Sequence, residues 1–155
     1  MPQHFAAPWS LKLKLLTVAF GGFLLYVATQ TDPIGSAAIV GVLVLCAALS
    51  VRGYSVIGGQ LLVHRLGWAS RFDLGIITSA DYSPGATLGS VRTFGIGGLF
   101  GFVGHFRNAF LGPYRAYATD PANAVVLRLG HDVVVVTPER PAEFVAAIEA
   151  SQSRM

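Results

Sequence analysis

The chain has 155 residues, 53% of them hydrophobic and only 12% charged, with a net charge of +3 and a mean hydropathy of +0.58. Soluble proteins carry about 25% charged residues, so a membrane-embedded portion is expected. The eleven Lys and Arg never form a run of three, which argues against a dedicated nucleic-acid-binding arm or face. A single cysteine, Cys46, excludes an intramolecular disulfide and a cysteine-based zinc cluster.

Residues 1–10 read as an N-terminal tail. Two apolar runs follow, Leu11 to Ala28 and Ile34 to Val51, of eighteen residues each. At about 1.5 Å per residue each gives roughly 27 Å of helix, close to the ~30 Å of a hydrocarbon core. The second run has no charge, and Gly35, Ser36, Ala37, Ala38 and Gly41 would let a neighbouring helix approach closely. The polar stretch Thr29-Gln30-Thr31-Asp32-Pro33 leaves room only for a helical hairpin. Lys12, Lys14 and Arg52 flank the outer ends while the turn carries only Asp32, so the positive-inside rule expects both termini in the cytoplasm. Trp9 and Tyr26 sit where aromatic belts form. A cleaved signal peptide fits less well, because no small-x-small site follows and a second span does. A hairpin buried in a soluble fold is disfavoured by the uncharged length of Ile34 to Val51.

From Arg52 the pattern changes to short alternating runs. Tyr54–Ile57 and Gln60–Arg65 read as strands joined by Gly58-Gly59. Trp68, Ser70, Phe72 and Leu74 alternate with Ala69, Arg71 and Asp73 as a half-buried strand, and Ile76–Tyr82 continues until Ser83-Pro84-Gly85 breaks it. Tyr114–Thr119, Ala124–Leu129 and Asp132–Thr137 are further strands, and the unbroken Val133–Val136 suggests one covered on both faces. Pro138 and Pro141 stop the sheet. Phe144, Ala147 and Ile148 then recur at helical spacing on a helix ending near Ser151. About seven strands and one helix call for a closed or nearly closed arrangement, since a small open sheet leaves edges bare.

The stretch GIGGLFGFVGHF, Gly95 to Phe106, holds five glycines and three phenylalanines. A dinucleotide fingerprint would need glycine where Phe100 stands, and no Walker lysine is present. Only fourteen residues separate Arg92 from Arg107, about 21 Å of helix and too short to cross a bilayer. The leading expectation is one glycine-bent core strand with Phe100, Phe102 and Phe106 on one face and Leu99, Gly101, Val103 and His105 on the other. An interfacial wedge of Phe94, Leu99, Phe100 and Phe102 stays open beside it.

His4, His64, His105 and His131 show no metal-ligand spacing, and no Gly-x-Ser-x-Gly elbow occurs. Asp73, Asp81, Asp120 and Asp132 fall at strand ends or turns, unpaired for acid/base work. Arg65, Arg71, Arg92, Arg107 and Arg115 are the candidate contacts to an anionic lipid or a partner: five charges against Asp73 and Asp81, a local +3. Each basic residue near an anionic leaflet is worth about 1 kcal/mol. A solvated arginine-rich surface is the equal alternative.

Three phrases, YSVIGGQLLVHR, LGPYRAYATD and VVVVTPERPAEFVAAI, resemble the opening, middle and close of a bacterial pleckstrin-homology (PH) domain. The resemblance covers about Arg52 to Ser151. It implies a strongly bent seven-stranded sheet plugged by the terminal helix, with no catalysis. The expectation is therefore an α+β chain: tail 1–10, two transmembrane helices within 11–51, a PH-like domain over 52–151 and a tail at 152–155. Its expected role is non-enzymatic and without cofactor or metal: a multi-pass inner (plasma) membrane protein whose PH-like domain serves protein interaction or self-assembly. Its partners would be the membrane, a second copy or another membrane protein, and no nucleic acid. Anionic-lipid binding through the arginine-rich side is the alternative.

Overall fold

A computed structural model describes residues 3–153. Two helices come early. Helix α1, Leu11–Gln30, starts where Ser10 Oγ accepts from the Leu13 N–H at 3.2 Å. Helix α2, Pro33–Leu49, is capped by the Asp32 carboxylate, with Pro33 at its first turn. Both caps satisfy N–H groups that have no partner within the helix, and proline at that position gives up none that is needed. Most large apolar side chains of both helices are exposed, among them Val18, Phe23, Ile34 and Val44. Helix α1 is long and apolar enough to cross a membrane; α2, at 17 residues, is a shorter apolar helix. Val51, expected to end the second span, instead opens a strand and is fully buried.

The rest is two sheets and one helix. Strands β1 (Gln3–Ala6), β2 (Val51–Ile57), β3 (Gln60–Arg65) and β4 (Ala69–Asp73) form an antiparallel sheet in that order. Six further strands form the second: β5 (Ile77–Tyr82), β6 (Val91–Gly97), β7 (Phe102–Asn108), β8 (Gly112–Ala118), β9 (Val125–Leu129) and β10 (Asp132–Val136). Their order is β5-β9-β10-β8-β7-β6, antiparallel except for the β10–β8 pair. Helix α3, Pro141–Gln152, closes the chain. The mixed helix-and-sheet plan agrees with the expectation.

The core lies between the sheets and under α3. It contains Tyr54, Leu61, Val63, Leu127, Val134, Val136, Phe144 and Ile148. Phe144 and Ile148 are fully buried, and burial of each contributes roughly 1.5–3 kcal/mol. A smaller core on the opposite face of the second sheet joins Ala86, Phe106, Tyr114, Val126 and Val135. Val134 and Val136 thus enter one core and Val135 the other, which is why this run has no polar alternation.

Among the described residues ten strands are formed where about seven were expected, and two regions that depart from the expectation have identifiable causes. The supposed tail 1–10 supplies β1, which pairs with β2 and buries Phe5 edge-on against Phe144. One apolar residue in QHFA carries too little pattern to mark a strand. Gly95–Phe106, expected as one bent strand, is instead the end of β6, a turn at Gly98–Gly101 and most of β7. Phe100 therefore leaves the shared face and sits in the turn, while Phe102 and Phe106 do face the smaller core together.

One buried hydroxyl ties the sheets together. Tyr54 Oη donates to the Tyr117 carbonyl at 2.6 Å and accepts from the Thr137 N–H at 3.1 Å. Thr137 Oγ1 in turn accepts from the Thr119 N–H at 2.8 Å, and Thr119 Oγ1 donates to the Pro8 carbonyl at 2.7 Å. The chain just before α1 is thereby fixed to both sheets.

Candidate functional site

The glycine-rich hairpin β6–β7 is the feature that joins the sheet domain to the helices. Gly95 and Gly104 are paired across it, at φ +113° and +139°. A Cβ on Gly95 would run into the Val103 carbonyl oxygen and come within 2.7 Å of the Gly104 Cα; one on Gly104 would meet the Phe94 oxygen and, at 2.8 Å, the Gly95 Cα. The two backbones touch there, so no side chain fits between them.

This crossing aims the turn at the helices. Gly98 N–H donates to the Gly101 carbonyl at 3.0 Å and closes the turn. Phe100 adopts φ +59°, a left-handed conformation that costs a non-glycine residue about 1–3 kcal/mol. Contacts to both helices hold it: its N–H donates to Thr17 Oγ1 of α1 at 3.1 Å, and its carbonyl accepts from Ser50 Oγ, at the end of α2, at 2.8 Å. Its ring meets Trp9 edge-on at 6.1 Å. Leu99 is buried, and its Cδ1 lies 4.0 Å from where a Gly21 Cβ would stand.

Beside the turn lies a cleft of about 380 Å³. Leu16 and Phe20 of α1 and Cys46 of α2 line one side, and Arg92 with residues Gly95–Leu99 lines the other. Arg92 extends along Gly97, with its Cδ 3.4 Å and Nη1 3.7 Å from where a Gly97 Cβ would stand. It is the only charged residue lining the cleft.

The structure distributes the remaining candidates. Leu99 and Phe100 pack on the helices, Phe102 is half-buried against the smaller core, and Phe94 is 77% exposed on the edge strand, 6.5 Å from the His105 ring. Arg65 is packed between the Tyr117 ring at 4.9 Å and the Trp68 ring at 5.8 Å, and its buried Nε has no hydrogen-bond partner. Arg71 is exposed on β4 of the first sheet. Arg115 pairs in register with His105 and with Val134, so with Arg107 it lies on the face of the second sheet that bears the main core, both arginines exposed at its margin. Arg92, in register with Phe106, takes the other face. The five arginines are not brought together.

A family model of the bacterial PH domain matches residues 52–152. The chain belongs to the bacterial PH domain family. No curated protein and no solved structure matches it. The matched region begins at Arg52, so β1, which completes the first sheet of the PH domain, comes from outside it.

Sequence reasoning missed Trp9, Thr17 and Ser50 as docking residues. The one signal was a hydroxyl at Thr17 within an otherwise apolar stretch. It also missed a cluster on the outer face of the first sheet. Ser55 Oγ lies 2.9 Å from His4 Nδ1 and 2.8 Å from His64 Nε2, with the two rings 5.6 Å apart. Burial, and secondarily the nearby His4, push the His64 pKa down. The three residues come from three strands, so no linear spacing reveals them.

Proposed function

We propose that this chain is an integral membrane protein held by the α1–α2 hairpin, with both termini cytoplasmic, whose PH domain serves protein interaction or self-assembly at the membrane in a non-enzymatic role. The observation that carries this reading is a group of exposed apolar side chains where β6 begins and β7 ends, at the other end of that hairpin from the turn Gly98–Gly101. Leu88, Val91 and Phe110 are 78%, 68% and 72% exposed there. They are not loose. Asn108 Nδ2 donates to the Ala86 carbonyl at 2.7 Å and to Ser90 Oγ at 3.0 Å, while its Oδ1 accepts from the Phe110 and Leu111 N–H groups at 3.1 and 2.7 Å. That side chain locks the loop bearing Leu88 to the turn bearing Phe110. Ordered, exposed apolar residues of this size mark interaction surfaces. At about 3.4 Å per residue, β7 places these side chains roughly 20 Å from the turn at the helices.

The orientation is supported by charge: Lys12, Lys14 and Arg52 lie at the domain end of the hairpin and Asp32 at the other. The test is cross-linking of the full chain in native membranes. Wild type is expected to give a dimer or a heterologous adduct, and Leu88→Asp with Phe110→Asp to give monomer while staying in the carbonate-washed membrane. Monomer alone from wild type would refute the reading.

A second reading, anionic-lipid binding, is favoured by the position of Arg92 beside the helices. Its test is whether the detergent-purified chain retains phosphatidylglycerol in preference to phosphatidylcholine.

A further inference from the structure

The turn Gly98–Gly101 meets α1 at Leu16, Thr17 and Gly21 and the end of α2 at Ser50, so it fixes how much of the hairpin lies beyond it. Past Thr17, α1 retains residues 18–30, and α2 up to Cys46 has residues 33–46. At about 1.5 Å per residue these are only some 20 Å of helix, against the ~30 Å of a hydrocarbon core. The hairpin fills that core only if its first turns, and the docked turn with them, lie beneath the membrane boundary. The turn suits that depth, being Gly-Leu-Phe-Gly with no charge.

Arg92 then reaches toward the apolar layer from the boundary. Among the described residues the only ion pairs are those of Arg140 with Glu139 and Glu143, so no carboxylate meets Arg92. Arg92 is exposed, and an arginine at that level snorkels to the headgroup layer, where phosphate oxygens offer bidentate acceptors for its guanidinium. The opposite wall of the cleft, Leu16, Phe20 and Cys46, is apolar and continues into the exposed helix surface, as an acyl chain requires. Its volume of about 380 Å³ falls in the range of small-molecule sites, roughly 300–1,000 Å³.

We infer that the cleft between the β6–β7 turn and the helical hairpin binds one anionic phospholipid, its phosphate on Arg92 and one acyl chain against Leu16, Phe20 and Cys46. This rests on the membrane-anchored reading and on its lipid-binding alternative, and it narrows that alternative to one arginine. A zwitterionic headgroup brings its own cation to the phosphate and competes with Arg92, so the preference is for net-negative lipids. Gly95, Gly97 and Gly98 leave only Ile96 and Leu99 as side chains on this wall besides Arg92, and Gly97 lets Arg92 lie flat.

The experiment is native mass spectrometry of the full chain released from mild detergent, titrated separately with dioleoylphosphatidylglycerol, dioleoylphosphatidylcholine and glycerol 3-phosphate. Wild type is expected to hold one phosphatidylglycerol about tenfold more tightly than phosphatidylcholine, and glycerol 3-phosphate not measurably. Arg92→Gln should erase the preference. Leu16→Trp, which fills the chain side and keeps the charge, should lower retention of both lipids severalfold. Arg107→Gln, on the other face of the sheet, should change neither. Equal retention by Arg92→Gln and wild type, equal loss in Arg107→Gln and Arg92→Gln, or tight binding of glycerol 3-phosphate each overturns the site. Carbonate washing separates the two levels: release of the protein refutes anchoring, whereas a resistant protein with no phosphatidylglycerol preference refutes the lipid site alone.

Discussion

Replacing Tyr54 with phenylalanine removes one oxygen from the fully buried point where the two sheets meet. The hydroxyl donates to the Tyr117 carbonyl and accepts from the Thr137 N–H, so its loss strands one buried acceptor and one buried donor. An unsatisfied buried group costs about 1–3 kcal/mol, and partial relaxation sets the expected total near 2 kcal/mol. For a protein of this size, 1 kcal/mol corresponds to about 2–4 °C, so the melting temperature should fall by roughly 4–8 °C at pH 7. The same oxygen predicts an alkaline effect of opposite sense. Burial, only partly offset by the hydrogen bonds from Thr137, pushes the Tyr54 pKa from 10.0 up to about 12. The folded value lies above the unfolded one, so this contribution is complete below pH 10 and is lost as pH rises from 10 to 12. It amounts to roughly 3 kcal/mol for two pH units. The assay is near-ultraviolet circular dichroism of the full chain in detergent, melted at intervals from pH 7 to pH 12. Tyr54→Phe should be less stable at pH 7 and less sensitive above pH 10. A variant melting within about 1 °C of wild type at pH 7, or losing as much above pH 10, would refute the account of this junction.

Gly104→Ala should cost about 3 kcal/mol or more, because a left-handed conformation and a backbone collision coincide there. Gly97→Ala meets the flexible Arg92 side chain at 3.4 Å and the Phe106 ring at an ordinary contact of 3.8 Å, and should cost less than about 1 kcal/mol. Amide exchange along β6 distinguishes the two, and equal protection in both variants would contradict the crossing. Thr17→Val and Ser50→Ala each remove a hydrogen bond to the Phe100 backbone, worth about 1 kcal/mol. Both should speed amide exchange at Gly98–Gly101 while leaving β9 and β10 unchanged. His64 has a folded pKa held below its usual value, so its contribution is complete above about pH 6.5 and is lost as pH falls further. Melting temperatures measured from pH 7.5 down to pH 5 should fall in wild type and flatten in His64→Gln.

Where a sequence signal was strong, the fold could be read directly. Phe144, Ala147 and Ile148 announced α3, and Val133–Val136 announced a strand covered on both faces, because each pattern is periodic over its own element. β1 could not be read, since its worth lies in Phe5 meeting Phe144 across most of the chain. β6 was hidden because an edge strand facing solvent need not alternate, and Val91–Gly97 does not. The arginines show a different limit. Their sum over Arg65 to Arg115 is a property of the sequence, but the face each takes depends on register, a bulge between Arg92 and Phe94, and the stacking that draws Arg65 inward. Only Arg92 was carried to the helices, by a glycine crossing whose residues were visible and whose partner strand was not.

Strands β1 and β2 run side by side, with the Ala7 N–H donating to the Arg52 carbonyl at 3.3 Å, although both helices lie between them in the chain. The hairpin is thus an insertion within the sheet domain rather than a leader attached to its front. Cutting the chain at Arg52 would remove Phe5 and bare the Tyr54 and Phe144 rings it covers. A soluble form is better made by excising the helices and joining the segment after β1 to Ser50 through a short loop. By the same logic, β1 can find its place only after α2 has brought β2 back to it, which makes closure of the first sheet depend on both helices having formed their hairpin.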